Sequence, residues 1–549
     1  MKKFLIYISA ITLLFSCSKD FLNRGSQIIF DDTNFWTSEN NVKSYCWEFY
    51  NRFRGFGTGT SGDFYFSTFN DDQAASGMNI FPSTAPASDG NWEYTYIRKA
   101  NLLLLRAPKV PMSQEAINHY LGVARFFRAY EYANLVRYFG DVPYINEYLD
   151  QNETEAIYTP RTPRKAVVDS IISDLQFAAQ NIRTVDRSKA LGDVNILSKE
   201  AVWAFLSRVA LYEGTYSKYV TGDLLQAERL LKIAKDAANN LISNTAYTLT
   251  PIYKELYSSL DLSKNNEVIL YKSYVAGVMT HSVIGYTNSS TMMAGLTKDA
   301  VDSYLCSDGL PISLSPQYAG DDNIANTLLN RDLRLNQTID DQLAYIGTPN
   351  DKGFTSSTGY KITKFNNDAL TPSEILAPNN PTDAPIFWLA EVYLNYAEAA
   401  AELNELTQAD LDNTINKLRS RASVAPMQLT SIPDDPLRDP DVSPLIWEIR
   451  RERRCELMMD GFRQWDIRRW GKLEYLNPLT KPAIFMGAKV PVPQPANGAE
   501  VDSQGYILPY GANAHRDVVI PKHYLSPIPT GQLTLYQLKG VEFPQNSGW

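Results

Sequence analysis

Residues 198–242 read SKEAVWAFLSRVALYEGTYSKYVTGDLLQAERLLKIAKDAANNLI, and this stretch decides the fold class. Apolar side chains recur at steps of three and four residues over 198–213 and again over 227–242. That period is typical of amphipathic helices, and Ser198 is a good residue to cap the first of them. Small and large apolar residues alternate in both segments, which lets two helices approach closely. The stretch therefore predicts a closely packed pair of helices.

The same helical period occurs elsewhere in the chain. One long segment covers 114–139, and Gly140-Asp141-Val142-Pro143 then stops it, because glycine followed by proline ends a helix. A second pair of helices is predicted at 387–403 and 410–421. Such pairs cannot bury their apolar faces alone and must stack on their neighbours. We therefore predict an all-α protein with a tetratricopeptide-like helical-repeat scaffold.

Two long parts of the chain lack this period. Residues 245–385 are rich in Gly, Ser, Thr, Asn and Pro, and the chain from about residue 477 onward carries many prolines. Proline removes a backbone donor and fixes φ, so we predict irregular excursions that wrap over the helices. Long loops in a compact protein are more often binding surface than filler.

The N-terminus carries a targeting pattern. Two lysines precede an apolar run at 4–15, which is too short to span a bilayer and is typical of a secretory signal. Leu14-Phe15-Ser16-Cys17 looks like a bacterial lipobox, in which cleavage before Cys17 frees its thiol for lipid. An ordinary signal peptide followed by a coincidental cysteine is the alternative. We predict a lipoprotein signal peptide at 1–16 and a lipid anchor on Cys17.

The composition of the chain and the motifs that it lacks argue against several classes of function. The formal net charge of −9 argues against a nucleic-acid partner, because phosphate binding needs a concentrated basic surface. The four cysteines and four histidines are scattered, so neither a zinc site nor a disulfide framework is indicated. No phosphate loop, Gly-x-Ser-x-Gly elbow or His-Glu-x-x-His motif occurs in the sequence.

A charged run at 448–470 is the obvious place to look for catalytic acids. Its acidic residues are spaced four apart, so on a helix they share one face, with arginines in the rows beside them. A glycosidase needs two carboxylates placed across a cleft, which the members of one stripe cannot provide because they point the same way. We predict an ion-pair network and no catalytic residue. The acidic residues are Glu448, Glu452, Glu456 and Asp460.

Longer motifs follow one another in order along the chain. They read CSKDFL at 17–22, LVRYFGDVP at 135–143, AEVYLNYAEA at 390–399, RRERRCEL at 450–457 and QNSGW at 545–549. The most specific is RRERRCEL, together with the GFR and DIRRW that follow it. Together these motifs resemble the SusD/RagB family of starch-utilisation-type nutrient-binding lipoproteins, and the resemblance runs from Cys17 to Trp549.

This resemblance implies a tetratricopeptide-type core and a cell-surface protein anchored in the outer membrane by lipid. It implies an oligosaccharide-binding lid over a SusC-like TonB-dependent transporter, without enzymatic activity. A peptide-binding lid on the same fold and a surface glycoside hydrolase stay open as alternatives. We expect an N-terminal SusD-like helical region at 17–240 and a C-terminal RagB/SusD region with a loop-rich insert at 241–549, which together form one compact body.

The ligand site is predicted in the irregular stretches. Sugars present C–H faces that stack on aromatic rings, and their hydroxyls need amide or carboxylate partners. Loop aromatics close to Asn or Asp are therefore the candidates, with a loop-anchoring role as the alternative for each ring. They are Asp71, Asp72, Asn79 and Phe81 in one stretch, Tyr286 and Asn288 in a second, and Tyr345 and Phe354 in a third.

No cofactor is predicted, although calcium is possible. Asp31-Asp32, Asp71-Asp72 and Asp321-Asp322 could each contribute to a calcium site, but none has the full ligand spacing. Solvated loop acids are the alternative.

Overall fold

The computed structural model describes residues 35–57, 62, 69–74, 80–150, 152, 154–287, 295–491 and 498–549. Cys17 with its signal peptide, Asp31-Asp32, Asn79 and Asn288 lie outside these residues. None of the described helices is both long enough and apolar enough to cross a membrane.

Helices dominate the regular structure. Within the described residues, nine helices have nine residues or more: α1 Glu39–Trp47, α2 Thr95–Arg106, α3 Gln114–Phe139, α4 Arg164–Asn181, α5 Lys199–Tyr216, α6 Leu224–Ile242, α7 Leu389–Glu402, α8 Pro444–Glu456 and α9 Thr530–Leu538. Shorter helices are Thr154–Ile157, Val185–Ala190, Glu255–Ser258, Val283–Thr287, Lys298–Ser303, Ile324–Leu328, Leu333–Thr338, Gln408–Asn413, Ile415–Arg421 and Arg463–Arg469. The π-helical segment Ser217–Thr221 extends α5.

The long helices form a continuous stack. Along the chain from α2 to α8, each helix packs on the next, so that α6 joins the N-terminal helices to α7 and α8. The predicted pair of helices at 198–242 is confirmed as α5 and α6. Ser198 caps α5 by accepting from the Ala201 N–H, and Gly214 lets α6 approach closely, since a Cβ there would lie 3.0 Å from Leu231 Cγ. The structure confirms the predicted helical class, whereas the division at residue 240 stays a prediction.

Two short antiparallel ribbons accompany the helices. Strand β1 (Gln73–Ala74) pairs with β3 (Gly295–Leu296), and β2 (Val268–Lys272) pairs with β4 (Ala384–Trp388). The predicted helix at 387–403 therefore begins later, at Leu389. All five residues of β4 are buried, and a short apolar run of that kind does not distinguish a strand from a helix by its period.

Two other predictions from the sequence need correction. The expected helix at 410–421 is two helices that meet at Thr414, whose φ of −131° and ψ of −90° interrupt the helical backbone. The proline-rich tail is irregular over most of its length, as predicted, but it contains α9, which starts directly after Pro529.

The loop-rich part of the chain has its own apolar core. Tyr253, Tyr257, Tyr304 and Tyr360 are fully buried there, and they pack with Trp388 and with residues of α7 and α8. Irregular segments can be ordered in this way, because large rings bury much area per residue. The helices α2 to α6 surround a separate cluster that includes Phe126 and Phe127.

Candidate ligand-binding site

The β1–β3 ribbon brings two of the three predicted stretches together. Ala74 pairs with Gly295, and Gln73 pairs with Leu296. The chain continues from Ala74 towards Asn79 and reaches Gly295 from Asn288. The two segments that contain these asparagines are therefore connected to neighbouring points of the ribbon.

The third stretch packs on the same ribbon. The Ser357 hydroxyl donates to the carbonyl of Ala74, and the Ser356 N–H donates to the carbonyl of Ala344. A Cβ atom at Gly295 would lie 2.3 Å from the hydroxyl oxygens of Ser356 and Thr358, so only glycine fits there. The structure thus gathers all three stretches, and we call this region the ribbon site: residues 71–74, 286–287, 295–297 and 344–358.

Two buried aspartates, Asp71 and Asp72, anchor the ribbon site through ion pairs with Arg454 and Arg463, and we call these four side chains the ionic base. Asp71 accepts two hydrogen bonds from the Arg463 guanidinium, both 2.7 Å, and Asp72 accepts one from Arg454 Nε at 2.7 Å. Burial by itself raises the pKa of Asp71, but Arg454 and Arg463 outweigh burial and hold that pKa well below its usual range. Thr297 adds a hydroxyl that donates to the Asp71 carbonyl at 2.6 Å.

Asp71 and Asp72 therefore anchor the ribbon, which does not favour their predicted role as ligand contacts. They are 1% and 2% exposed, and guanidinium groups already occupy their carboxylates. The hydrogen bond of Thr297 to Asp71 could not be predicted from the sequence. The local sequence indicates only that Thr297 can cap the helix Lys298–Ser303.

The aromatic candidates divide into two groups. Phe81 is 5% exposed and stacks on His523, and Tyr345 is 3% exposed among Val490 and Ile507. Neither ring has a free face for a sugar. Both fit the alternative role, in which the ring anchors its loop. Tyr286 and Phe354 are half-buried and stay candidates; Lys361 Nζ lies 5.7 Å from the Phe354 ring centroid.

Basic side chains contact the carboxylates of the described aspartate pairs that were candidates for calcium. The carboxylates of Asp71 and Asp72 bind arginine, and those of Asp321 and Asp322 bind Lys298 and Lys489. Within the described residues, no group of three or more acidic, histidine or cysteine side chains is placed to hold a metal ion.

The acidic stripe forms the predicted ion-pair network. Arg334 lies among Asp332, Glu452 and Glu456, with nitrogen–oxygen distances of 2.6, 2.7 and 2.8 Å. The pKa of Glu456, which burial would raise, is lowered by Arg421 and Arg334. One detail differs from the prediction: α8 ends at Glu456, so Asp460 lies beyond the helix, where it binds Lys364. The stripe ties α8 to the surrounding loops.

A stack of helices that carries long, ordered loops defines the class of fold, and two family models match its sequence. Residues 264–549, more than half of the chain, match the family model described as SusD family. Residues 57–211 match a model described as starch-binding, associating with the outer membrane. The chain belongs to the SusD family, as its motifs predicted.

Relatives agree with this assignment. A SusD-like protein of Bacteroides ovatus is 25% identical over 499 residues, which cover 86% of this chain and 83% of the relative. SusD-like protein P2 of Formosa agariphila is 27% identical over 433 residues, 72% of this chain and 76% of the relative. The crystal structure of a SusD-like carbohydrate-binding protein from Bacteroides fragilis has a TM-score of 0.72 at 24% identity and covers 91% of this chain and 99% of its own. That likeness confirms the fold.

Proposed function

We propose that this protein is a cell-surface glycan-binding lipoprotein that acts as the lid and capture subunit of a SusC-like, TonB-dependent outer-membrane importer. The observation that carries the proposal is the match of 264–549 to the SusD family model. The match of 57–211 to an outer-membrane-associated starch-binding model supports the location. Cys17 supplies the lipid anchor in this proposal.

Glycan is the ligand class that the relatives favour. The Bacteroides fragilis structure is described as carbohydrate-binding, and a laminarin-binding SusD-like protein covers 94% of this chain with a TM-score of 0.54 at 21% identity. In this chain, the ribbon site holds loop segments on a buried ionic base. Its half-buried rings, Tyr286 and Phe354, are the candidates for stacking on a sugar, and a site that is formed before the ligand arrives lowers the entropy lost on binding.

Binding without hydrolysis is part of the proposal. The carboxylates of the α8 stripe are each held by arginine, as in the contacts of Arg419 with Glu452 and of Arg451 with Glu448. A general acid or nucleophile needs a carboxylate that faces substrate across a cleft. These carboxylates face guanidinium groups instead, which supports a binding protein.

The proposal is tested by a ligand screen. The detergent-solubilised full chain is titrated with plant, mucin and microbial polysaccharides and with mixed peptides, and reducing ends are assayed in the same samples. We expect saturable binding of at least one glycan without release of reducing ends. Saturation by peptides alone, or turnover of a bound glycan, would overturn the proposal in favour of a peptide lid or a hydrolase.

A further inference from the structure

A cleft lies away from the residues of the ribbon site. It is a cleft of about 210 Å³ between α3, α5, β4 and the chain at 460–469, and it shares no lining residue with the ribbon site. Aromatic and amide side chains line it together. They include Tyr130, Tyr138, Tyr212, Phe462, Trp465 and Asn134.

Most charges on the wall of this cleft are already neutralised. Among the carboxylates, Glu131 binds Arg52, Glu213 binds Arg164, and Asp466 binds Arg453 and Arg469. Arg208 binds Glu391. Most charged side chains in the described part of the wall therefore form ion pairs with each other or with their neighbours. An arginine without such a pair differs from them.

Arg137 is such a cation. Its guanidinium stacks on the Trp465 ring, 4.0 Å from the centroid, and Nη2 donates to Asn134 Oδ1 at 2.9 Å. Its Nε is buried without a hydrogen-bond partner, and no described carboxylate forms an ion pair with it. Because Arg137 also lines the cleft, this nitrogen is available to an acceptor that enters the cleft from outside the chain.

A second guanidinium approaches the same ring. Arg468 lies 5.2 Å from the Trp465 centroid, and its hydrogen bond within the described residues is to the Gln464 carbonyl at 3.1 Å. It also has no ion pair with a described carboxylate. Burial lowers the pKa of Arg468, and the charge of Arg137 lowers it further. Two like charges near one ring are stabilised by an anion between or beside them.

Tyr212 provides a further unsatisfied donor. Its hydroxyl is buried and makes no hydrogen bond to any described residue. Burial raises the pKa of Tyr212 to about 12, so the hydroxyl remains protonated and can donate at neutral pH. An oxyanion would satisfy Tyr212 and Arg137 at once.

We infer that this cleft is a second saccharide site, selective for sugars that carry a carboxylate or sulfate group. The anionic group binds Arg137 and Tyr212 with the charge of Arg468 nearby, and the half-buried faces of Tyr130 and Phe462 receive the sugar ring. The choice of a saccharide over another anion rests on the proposed function. The anion preference rests on the unpaired donors.

The test compares a charged ligand with its neutral counterpart. Trigalacturonate, galactotriose and inorganic sulfate are titrated calorimetrically into the detergent-solubilised full chain. We expect trigalacturonate to bind at least about tenfold more tightly than galactotriose. Arg137→Gln should weaken trigalacturonate binding about tenfold, and Tyr212→Phe several-fold, because each removes one donor. Arg137→Lys should give an intermediate affinity, since it keeps the charge but loses the planar fork.

A matched control lies on the same helix. Arg125 stacks on Phe177 at the same 4.0 Å but lies outside the cleft, so Arg125→Gln should bind trigalacturonate like the unchanged protein. If Arg137→Gln does not fold, Tyr212→Phe provides the test, because it keeps the aromatic ring and removes only the hydroxyl. Equal affinity for the two trisaccharides, unchanged affinity in both variants, or binding of sulfate alone overturns the inference. A neutral glycan found in the screen should bind Arg137→Gln normally, so the cleft and the proposed function can fail separately.

Discussion

Arg334 illustrates how charge is buried in this protein. Its side chain is 1% exposed and contacts three carboxylates, so its removal leaves buried negative charge uncompensated. We expect Arg334→Met to lower the free energy of unfolding by about 3–5 kcal/mol, measured by urea denaturation. Arg187→Met is the control, because the pair of Arg187 with Glu115 is half exposed and its loss should change little. Equal effects of the two changes would contradict this account.

His281 should make stability depend on pH. Its Nδ1 accepts from the Val283 N–H, and its Nε2 donates to the Thr382 carbonyl at 2.9 Å, so the folded ring is neutral. Burial lowers its pKa to about 3, below the value of about 6.5 for an unfolded histidine. The unfolded chain therefore binds the proton more readily. The stability that this group contributes is complete above pH ~6.5 and is lost as pH falls towards 3.

The measurement is the free energy of unfolding between pH 7 and 5. We expect His281→Gln to have a shallower pH dependence than the unchanged protein, because it removes the titrating ring. His515→Gln is the control, since the His515 side chain is 66% exposed. Parallel curves for all three proteins would show that His281 does not titrate in this way.

Phe81 and Tyr345 mark the limit of what the sequence could predict about the site. Both sit in irregular stretches, which is why they were candidates for ligand contact. Their burial depends on partners far away in sequence, such as His523 for Phe81, and no local pattern encodes such contacts. The structure also shows that the three candidate stretches meet. The sequence could not predict this, because it depends on the pairing of Ala74 with Gly295.

At the level of helices and strands, the sequence predicted the elements whose hydrogen bonds join residues close in sequence. The period and the caps located α3, α5 and α6 to within a few residues, because the hydrogen bonds of a helix join neighbours in sequence. Strand β4 was missed because it exists only through its pairing with β2, more than a hundred residues earlier. The interruption at Thr414 likewise has no sequence signal of its own.

The end of α3 provides a test of an element boundary. Gly140 has a φ of +73°, and a Cβ there would lie 2.8 Å from Leu525 Cδ1. We expect Gly140→Ala to cost more than about 1–2 kcal/mol, because its φ of +73° and ψ of −114° lie outside the left-handed helical region and the Leu525 side chain must also shift. Gly222 is the control: its φ of +72° and ψ of 12° are left-handed helical, and no atom lies near its Cβ position. Gly222→Ala should therefore cost only about 1–2 kcal/mol, and thermal unfolding should separate the two variants.

For the whole molecule, the proposed anchor makes a prediction about location. Cys17→Ala removes the one residue that the lipobox offers for acylation. We expect the variant to leave the outer-membrane fraction and appear in the soluble one, because the acyl chains supply the membrane affinity. Cys46→Ala is a control, since Cys46 is buried in the core cluster. A Cys17→Ala protein that still sediments with outer membranes would contradict the anchor.

The ionic base of the ribbon site also constrains when the protein becomes competent during biogenesis. Asp71 is separated from its partner Arg463 by 392 residues, and Asp72 from Arg454 by 382. Helices α2 to α4 have their main packing partners within the first half of the chain and can form as that half emerges. The carboxylates of Asp71 and Asp72 have no arginine partner until the last quarter of the polypeptide, which contains Arg454 and Arg463, is present. For the surface lipoprotein that we propose, a chain still crossing the membrane would therefore have its first helices without a complete ribbon site, and we expect capture of ligand at that site to begin only after translocation is complete.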